Sequence, residues 1–144
     1  MGSGYADITP ADDQQSVGEV ELAVPADASY VALLRTVTAS MAARRDFTLE
    51  EIDDLRLAVD EASALLLPQA RDGDRLAVLF GGGDELTLRI DVALVFAEGA
   101  GGAVEVDDRN FAWMVLAALA DSVSTFRLSD RLVVSLVKSR SARV

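Results

Sequence analysis

The fold of this chain is decided by the stretch TLEEIDDLRLAVDEASALLLP, which covers residues 48–68. Thr48 and Glu51 have the spacing of a capping box, in which each side chain accepts a hydrogen bond from the other residue's backbone amide. Pro68 ends the stretch, because proline cannot continue a helix. Between them, apolar residues recur at helical spacing: Ile52, Leu55, Val59, Ala62 and Leu66. The stretch therefore predicts an amphipathic helix that packs against a second layer.

The residues before this helix predict a strand and another helix. Val20, Leu22 and Val24 alternate with Glu19, Glu21 and Ala23, which is the pattern of a half-buried strand, and Pro25 ends it. Apolar residues then return at helical spacing over residues 27–45, where Asp27 is suited to the N-cap.

The residues after Pro68 predict a hairpin, a helix and a second hairpin. Strands over 76–80 and 86–92 flank the turn at 81–84, a glycine-containing loop covers 98–106, and the closing hairpin spans 123–137. Asp107 or Asp108 is suited to cap the third helix, whose apolar positions are Phe111, Met114, Val115, Ala118 and Leu119. The predicted fold class is α+β, in the order β-α-α-β-β-loop-α-β-β, a two-layer sandwich with one mixed sheet and helices on one face.

Length and composition predict one domain, and the absence of cysteine is compatible with a reducing compartment. We expect a flexible tail over residues 1–17, a single domain over 18–138 and a C-terminal tail over 139–144. The start of the chain lacks the features of a signal peptide, and no apolar stretch approaches the roughly 20 residues of a membrane helix. We therefore expect a cytoplasmic protein. The chain has no cysteine and no histidine, which excludes disulfides, thiol catalysis and imidazole-based acid–base or zinc chemistry.

The net charge of −11 bears on the choice of partner. An acidic domain is repelled by phosphate backbones, so direct nucleic-acid binding is not expected, and a basic protein surface is the more natural partner. The alternative is that the acidity only keeps the protein in solution.

Three segments resemble the anti-sigma serine kinases of the GHKL ATPase family, whose fold is called the Bergerat fold. Residues 55–62, LRLAVDEA, resemble the start of the N-box of RsbW and SpoIIAB, and residues 111–121, FAWMVLAALAD, resemble the helix after the nucleotide lid. Residues 34–40, LRTVTAS, are similar to the helix that contacts the sigma factor in that family. The resemblance covers residues 18–138 and implies the same fold.

The nucleotide-binding motifs of that family are altered here. The resemblance places Leu65 where the family has a metal-binding asparagine, and leucine offers no oxygen to Mg²⁺. Asp91 and Ala93 are the best match to the adenine-binding Asp-x-Gly, and Asn110 and Ala112 to the lid's Gly-x-Gly, with side chains where the family has glycines. We expect no cofactor, no metal site and no catalytic residue, with Glu61 as a vestige of the family's general base.

Other candidates have competing interpretations. Asp53, Asp54, Asp60 and Glu61 could be a metal cluster, but their spacing scatters them along a solvated helix face. The glycines at 99–102 lack the Lys and Ser/Thr of a P-loop. Trp113 is expected to pack in the core or against the lid, with a partner anchor as the alternative.

The resemblance implies an anti-sigma factor that sequesters a stress- or sporulation-type sigma factor and is released by a STAS-domain antagonist, as a homodimer. Arg35 is the candidate partner-binding residue, because a guanidinium can bind a carboxylate with two hydrogen bonds; pairing with a neighbouring acid is the alternative. The alternative functions are a serine kinase with a divergent ATP site, for which ATP and Mg²⁺ would be needed, or a pocket that binds another small ligand.

Overall fold

The computed structural model describes residues 19–82, 84–98 and 111–141. Its strands and helices are, in chain order, β1 (Val20–Pro25), α1 (Val31–Arg44), α2 (Leu49–Leu66), β2 (Arg75–Gly81), β3 (Thr87–Val95), α3 (Phe111–Leu119), β4 (Ser122–Leu128) and β5 (Arg131–Ser139). Short 3-10 turns cover Ala28–Tyr30 and Leu67–Gln69. Asp27 caps the first of these turns, with its carboxylate accepting from the amide of Ser29 at 2.9 Å, so α1 begins later than the sequence predicted.

The five strands form one sheet in the order β1-β2-β3-β5-β4, and every neighbouring pair is antiparallel. The prediction of a mixed sheet was wrong. Two hairpins account for the pairs β2–β3 and β4–β5. Strands β1 and β2 also run in opposite directions, because α1 and α2 between them form a helical hairpin that reverses the chain once more.

One face of the sheet carries the core. Leu76, Val78 and Phe80 of β2 point to this inner face, as do the alternate residues of β3 and β5. The buried stripe of α2 packs onto the same core, as do α1 and α3. The predicted two-layer sandwich is thereby confirmed for the described residues, with α2 central in the helix layer and in contact with both other helices.

The turn between β2 and β3 is fixed from the helix layer. The guanidinium of Arg45 donates to the carbonyl oxygens of Asp84 at 3.1 Å and of Thr87 at 2.8 Å. A Cβ atom at Gly82 would overlap the carbonyl oxygen of Thr87, so only glycine fits there. This explains the glycine at position 82 as a packing requirement.

Helix α3 presents a different face from the one predicted. Ala112 and Leu116 are buried, whereas Phe111 and Met114 are 74% and 62% exposed. The nine residues of α3 are all apolar, so periodicity in the sequence could not select the buried side. The boundary predicted at residue 138 also lies one residue before the end of β5 at Ser139.

Candidate functional site

Helix α2 carries the candidate residues Glu61 and Leu65, and its first turn is fixed by a buried carboxylate. The capping box predicted from Thr48 and Glu51 is present, with Glu51 accepting from the amide of Thr48 at 2.8 Å. Its second carboxylate oxygen accepts from the amide and the hydroxyl of Ser141, at 2.7 and 2.5 Å. Burial opposes ionisation of this carboxyl, but the hydrogen bonds from Ser141 and Thr48 outweigh it and lower the pKa of Glu51 to about 2.

The last turn of α2 is apolar at Leu65, the position where the resemblance implies an oxygen ligand in an active ATPase. Leu65 is 6% exposed and lies in the hydrophobic core, together with Ala112 from the first turn of α3. Glu61 lies one turn before Leu65, half-buried, with no hydrogen bond or ion pair to any of the described residues. The structure thus brings Leu65 and Ala112 into one core, and their contact with it is made by hydrocarbon alone.

The two candidate residues of β3 lie on the other side of the sheet. Val92 points to the core, so its neighbours Asp91 and Ala93 point to the outer face. Asp91 is buried there, accepting from the hydroxyl of Ser135 at 2.6 Å and from two nitrogens of Arg89 at 3.2 and 3.0 Å.

Asp91 and Ala93 are therefore not grouped with Glu61 and Leu65 as the matched motif required. The signal was already in the sequence, because the alternation of Ile90 and Val92 assigns Asp91 to the opposite face. The network around Asp91 instead joins β3 to β5. Asn110, the remaining candidate of the nucleotide motifs, lies outside the described residues.

Arg35 joins the first two helices. Its Nη1 donates to Oδ1 of Asp60 on α2 at 2.7 Å, and about one third of each side chain is exposed. Asp60 was predicted only as one member of an acidic helix face. The ion pair occupies one nitrogen of the guanidinium, and the remaining N–H donors bind no other residue within the described part of the chain.

The other charged groups do not converge on a metal site. Within residues 19–82, 84–98 and 111–141, no three acidic side chains come together as metal ligands, so the carboxylates of α2 are spread along the helix. A cavity of about 360 Å³ lies where β1 meets the loop before β2, and Asp27, Arg71 and Arg75 are among its lining residues. None of the residues matched to the nucleotide motifs lines this cavity. No helix among the described residues is long and apolar enough to cross a membrane.

Comparisons with known proteins identify the class of fold. The structure superimposes on the crystal structure of the RsbU and RsbW domains of a Mycobacterium tuberculosis protein with a TM-score of 0.61, over 87% of this chain and 33% of that one. The sequence identity in that match is 17%, so the match concerns the fold. The chain thus has the GHKL-type fold of RsbW proteins.

The sequence relationship identifies the family. Over 122 residues the chain is 34% identical to the anti-sigma-F factor RsbW of Mycobacterium tuberculosis, covering 84% of this chain and 69% of that relative. A segment of 65 residues is 34% identical to the serine-protein kinase RsbW of Bacillus thuringiensis, covering 44% of this chain and 41% of that relative. No family model matches the chain. The chain belongs to the RsbW family.

Proposed function

We propose that this protein is an anti-sigma factor that binds an alternative sigma factor and keeps it from RNA polymerase. The observation that carries the proposal is the match to an anti-sigma-F factor over 84% of the chain. The net charge of −11 is consistent with binding to basic surfaces of the sigma factor. Opposite charges on two proteins raise their association rate and fix the register in which they dock.

Arg35 is the residue we propose for contact with the sigma factor. Asp60 holds the guanidinium through one nitrogen, which leaves an edge that can donate two parallel hydrogen bonds to a carboxylate of the partner. The ion pair also restricts the rotamers of a long side chain, so less conformational entropy is lost when the partner binds.

We propose that the protein acts by binding alone. It would neither phosphorylate its antagonist nor require ATP or Mg²⁺. The support is the apolar environment of Leu65 and the position of Asp91 across the sheet, which together leave the nucleotide motifs without their chemistry. Control would then depend on the concentration of an antagonist. We propose a STAS-domain protein in that role.

We also propose that the protein forms a homodimer through the edge of the sheet at β1. This strand is at the end of the strand order and pairs only with β2 among the described strands. An edge strand presents unpaired backbone groups that a second chain can bind. Sedimentation equilibrium measures the stoichiometry, and a monomer at all accessible concentrations would contradict this part of the proposal.

The test of sigma binding is a titration of the chain against the alternative sigma factors of its host. We expect a stable complex whose affinity falls between about 50 and 500 mM salt, since exposed charges are screened over about 8–10 Å at physiological ionic strength. Arg35→Ala should weaken the complex, by on the order of 2–5 kcal/mol if the contact is desolvated and by under about 1 kcal/mol if it lies at the rim.

The matched control is Arg56→Ala, which removes an arginine of α2 that is 48% exposed and lies 3.5 Å from Asp53. Its affinity for the sigma factor should equal that of the wild type. Equal binding by both variants would show that α1 is not the docking helix, and failure to bind any sigma factor would remove the proposed function.

A further inference from the structure

The helix layer exposes a large apolar surface on α3. Phe111 and Met114 are 74% and 62% exposed, although the opposite side of the same helix is buried through Ala112 and Leu116. Single exposed apolar residues are common on soluble proteins, but adjacent large ones are characteristic of binding surfaces. These two residues stand three apart in a helix and so lie side by side.

The direction of α3 shows which part of α2 lies beside these residues. The ammonium of Lys138 binds the carbonyl oxygen of Leu119, at the end of α3, and lies 3.5 Å from Asp54, in the first half of α2. Helix α3 packs alongside α2, and Ala112 in its first turn lies in the same core as Leu65 in the last turn of α2. Helix α3 therefore runs antiparallel to α2, with Phe111 beside the second half of α2.

The flank of α2 that faces α3 is acidic with one apolar residue. Residues at i, i+3 and i+7 share a side of a helix, so Asp54, Leu57 and Glu61 lie on one flank. Leu57 is 43% exposed, and Glu61 has no partner among the described residues. We call Leu57, Glu61, Phe111 and Met114 the α3 patch.

The one charged residue of the α3 patch, Glu61, is acidic. Helix α3 contains no charged residue from Phe111 to Leu119, and the flank of α2 beside it carries the carboxylates of Asp54 and Glu61. Lys138 forms an ion pair with Asp54, whereas Glu61 has no ion-pair partner among the described residues.

We propose that the α3 patch is a docking surface for a basic amphipathic helix of a protein partner. The apolar side of such a helix covers Phe111 and Met114, and its lysine or arginine residues reach Glu61. A second copy of this chain is disfavoured there, because an acidic border would face an acidic border. The patch lies on the flank of α2 away from Asp60, so it is separate from the Arg35 contact and does not depend on it.

Binding to the α3 patch can be followed by the fluorescence of a tryptophan in α3. Trp113, the one tryptophan of the sequence, lies between Phe111 and Met114 and is half-buried. The probes are two synthetic amphipathic helices of equal length, one of leucine and lysine and one of leucine and glutamate. We expect saturable binding of the leucine–lysine peptide, by Trp113 emission and by calorimetry, and no binding of the leucine–glutamate peptide.

Substitutions in the full chain locate the binding site. Phe111→Ser should lower the affinity for the leucine–lysine peptide by about tenfold or more, because a large buried anchor dominates such interfaces. Glu61→Gln should lower it about two- to fivefold and weaken its salt dependence, as expected for an exposed charge. The control is Leu33→Ser on α1, which removes a leucine that is 46% exposed. This substitution should change the affinity for the leucine–lysine peptide by less than about twofold.

Several results would overturn the proposal. These are equal affinity for the two peptides, wild-type affinity for Phe111→Ser, or a loss of binding confined to Leu33→Ser. A dimer of the free chain that Phe111→Ser converts to monomer would assign the patch to a second copy instead.

Each variant is checked for an unchanged melting temperature, which is expected because the replaced side chains are exposed. Sigma binding by Arg35→Ala is scored separately, so either proposal can fail alone.

Discussion

The two ends of α2 are stabilised by different means. At the first turn, a buried carboxylate accepts three hydrogen bonds, from Thr48 and from Ser141 at the other end of the chain. In the second half, Leu65 and Leu66 are held by hydrocarbon contacts, and the buried hydroxyl of Ser63 has no hydrogen-bond partner among the residues that the structure describes.

This difference shows where the chain retains polar chemistry in its interior. A buried polar group is stable only with its partners, and Glu51 has them because the cap is local and the C-terminal segment reaches it. Leu65 lies among apolar side chains instead. A change that adds polarity there should cost more than one that removes polarity at Glu51.

The largest expected effect is that of Leu65→Asn. The amide would replace a core side chain and find no acceptor or donor, so we expect the free energy of unfolding to fall by about 3 kcal/mol. We also expect no binding of Mg-ATP, since the other nucleotide motifs remain altered. Urea unfolding and calorimetry measure the two quantities.

The control for this variant is Leu65→Met, which keeps volume and polarity and should cost less than about 1.5 kcal/mol. Magnesium-dependent ATP binding by Leu65→Asn, with unchanged stability, would contradict this prediction. It would show that Leu65 alone prevents the region from binding the nucleotide. Magnesium-dependent ATP binding by the wild type itself would favour the serine-kinase alternative.

Glu51→Ala should have the next largest effect. It removes the acceptor for the amides of Thr48 and Ser141, and we expect the free energy of unfolding to fall by about 2 kcal/mol. Glu50→Ala, at the exposed neighbouring position, should change it by less than about 0.5 kcal/mol. Equal losses in urea unfolding would mean that only the charge near the helix N-terminus matters.

The contribution of Glu51 should depend on pH. Its pKa is lowered from 4.5 to about 2 on folding, so the folded state binds the proton less tightly than the unfolded state. The stabilisation is therefore fully present above about pH 5 and is lost as the pH falls toward 2. The difference in stability between wild type and Glu51→Gln, between about 1 and 2 kcal/mol at pH 7, should narrow steadily from pH 5 to pH 3. A constant difference over that range would contradict the lowered pKa.

The smallest effect is expected for Thr48→Ala. Its hydroxyl accepts from the amide of Glu51 at 3.1 Å, and loss of an N-cap costs about 1 kcal/mol. Thr36→Ala is the matched control, because that hydroxyl only donates to the carbonyl of Ala32 within α1 and is exposed. Melting temperatures of both variants test the difference, and a drop for Thr36→Ala as large as for Thr48→Ala would argue against a specific role for the cap.

Features that depend on near neighbours could be predicted from the amino-acid sequence. The capping box, the end of α2 near Pro68, the alternation of β1 to β3 and the closing hairpin all follow from interactions over a few residues, and each was predicted. The resemblance at residues 55–62 and 111–121 also predicted the family, because motifs survive in the order of the chain.

Tertiary structure decided what depends on distant residues. Ser141 reaches Glu51 across 90 positions, and Arg35 reaches Asp60 across 25, and neither pairing leaves a local pattern. The buried side of α3 was also open, because a helix that is apolar all round can turn any side inward. Its orientation is set by packing against α2 and the sheet, and this packing leaves Phe111 and Met114 at the surface. Because the packing partners are distant in the sequence, no short stretch of residues could predict the exposed side.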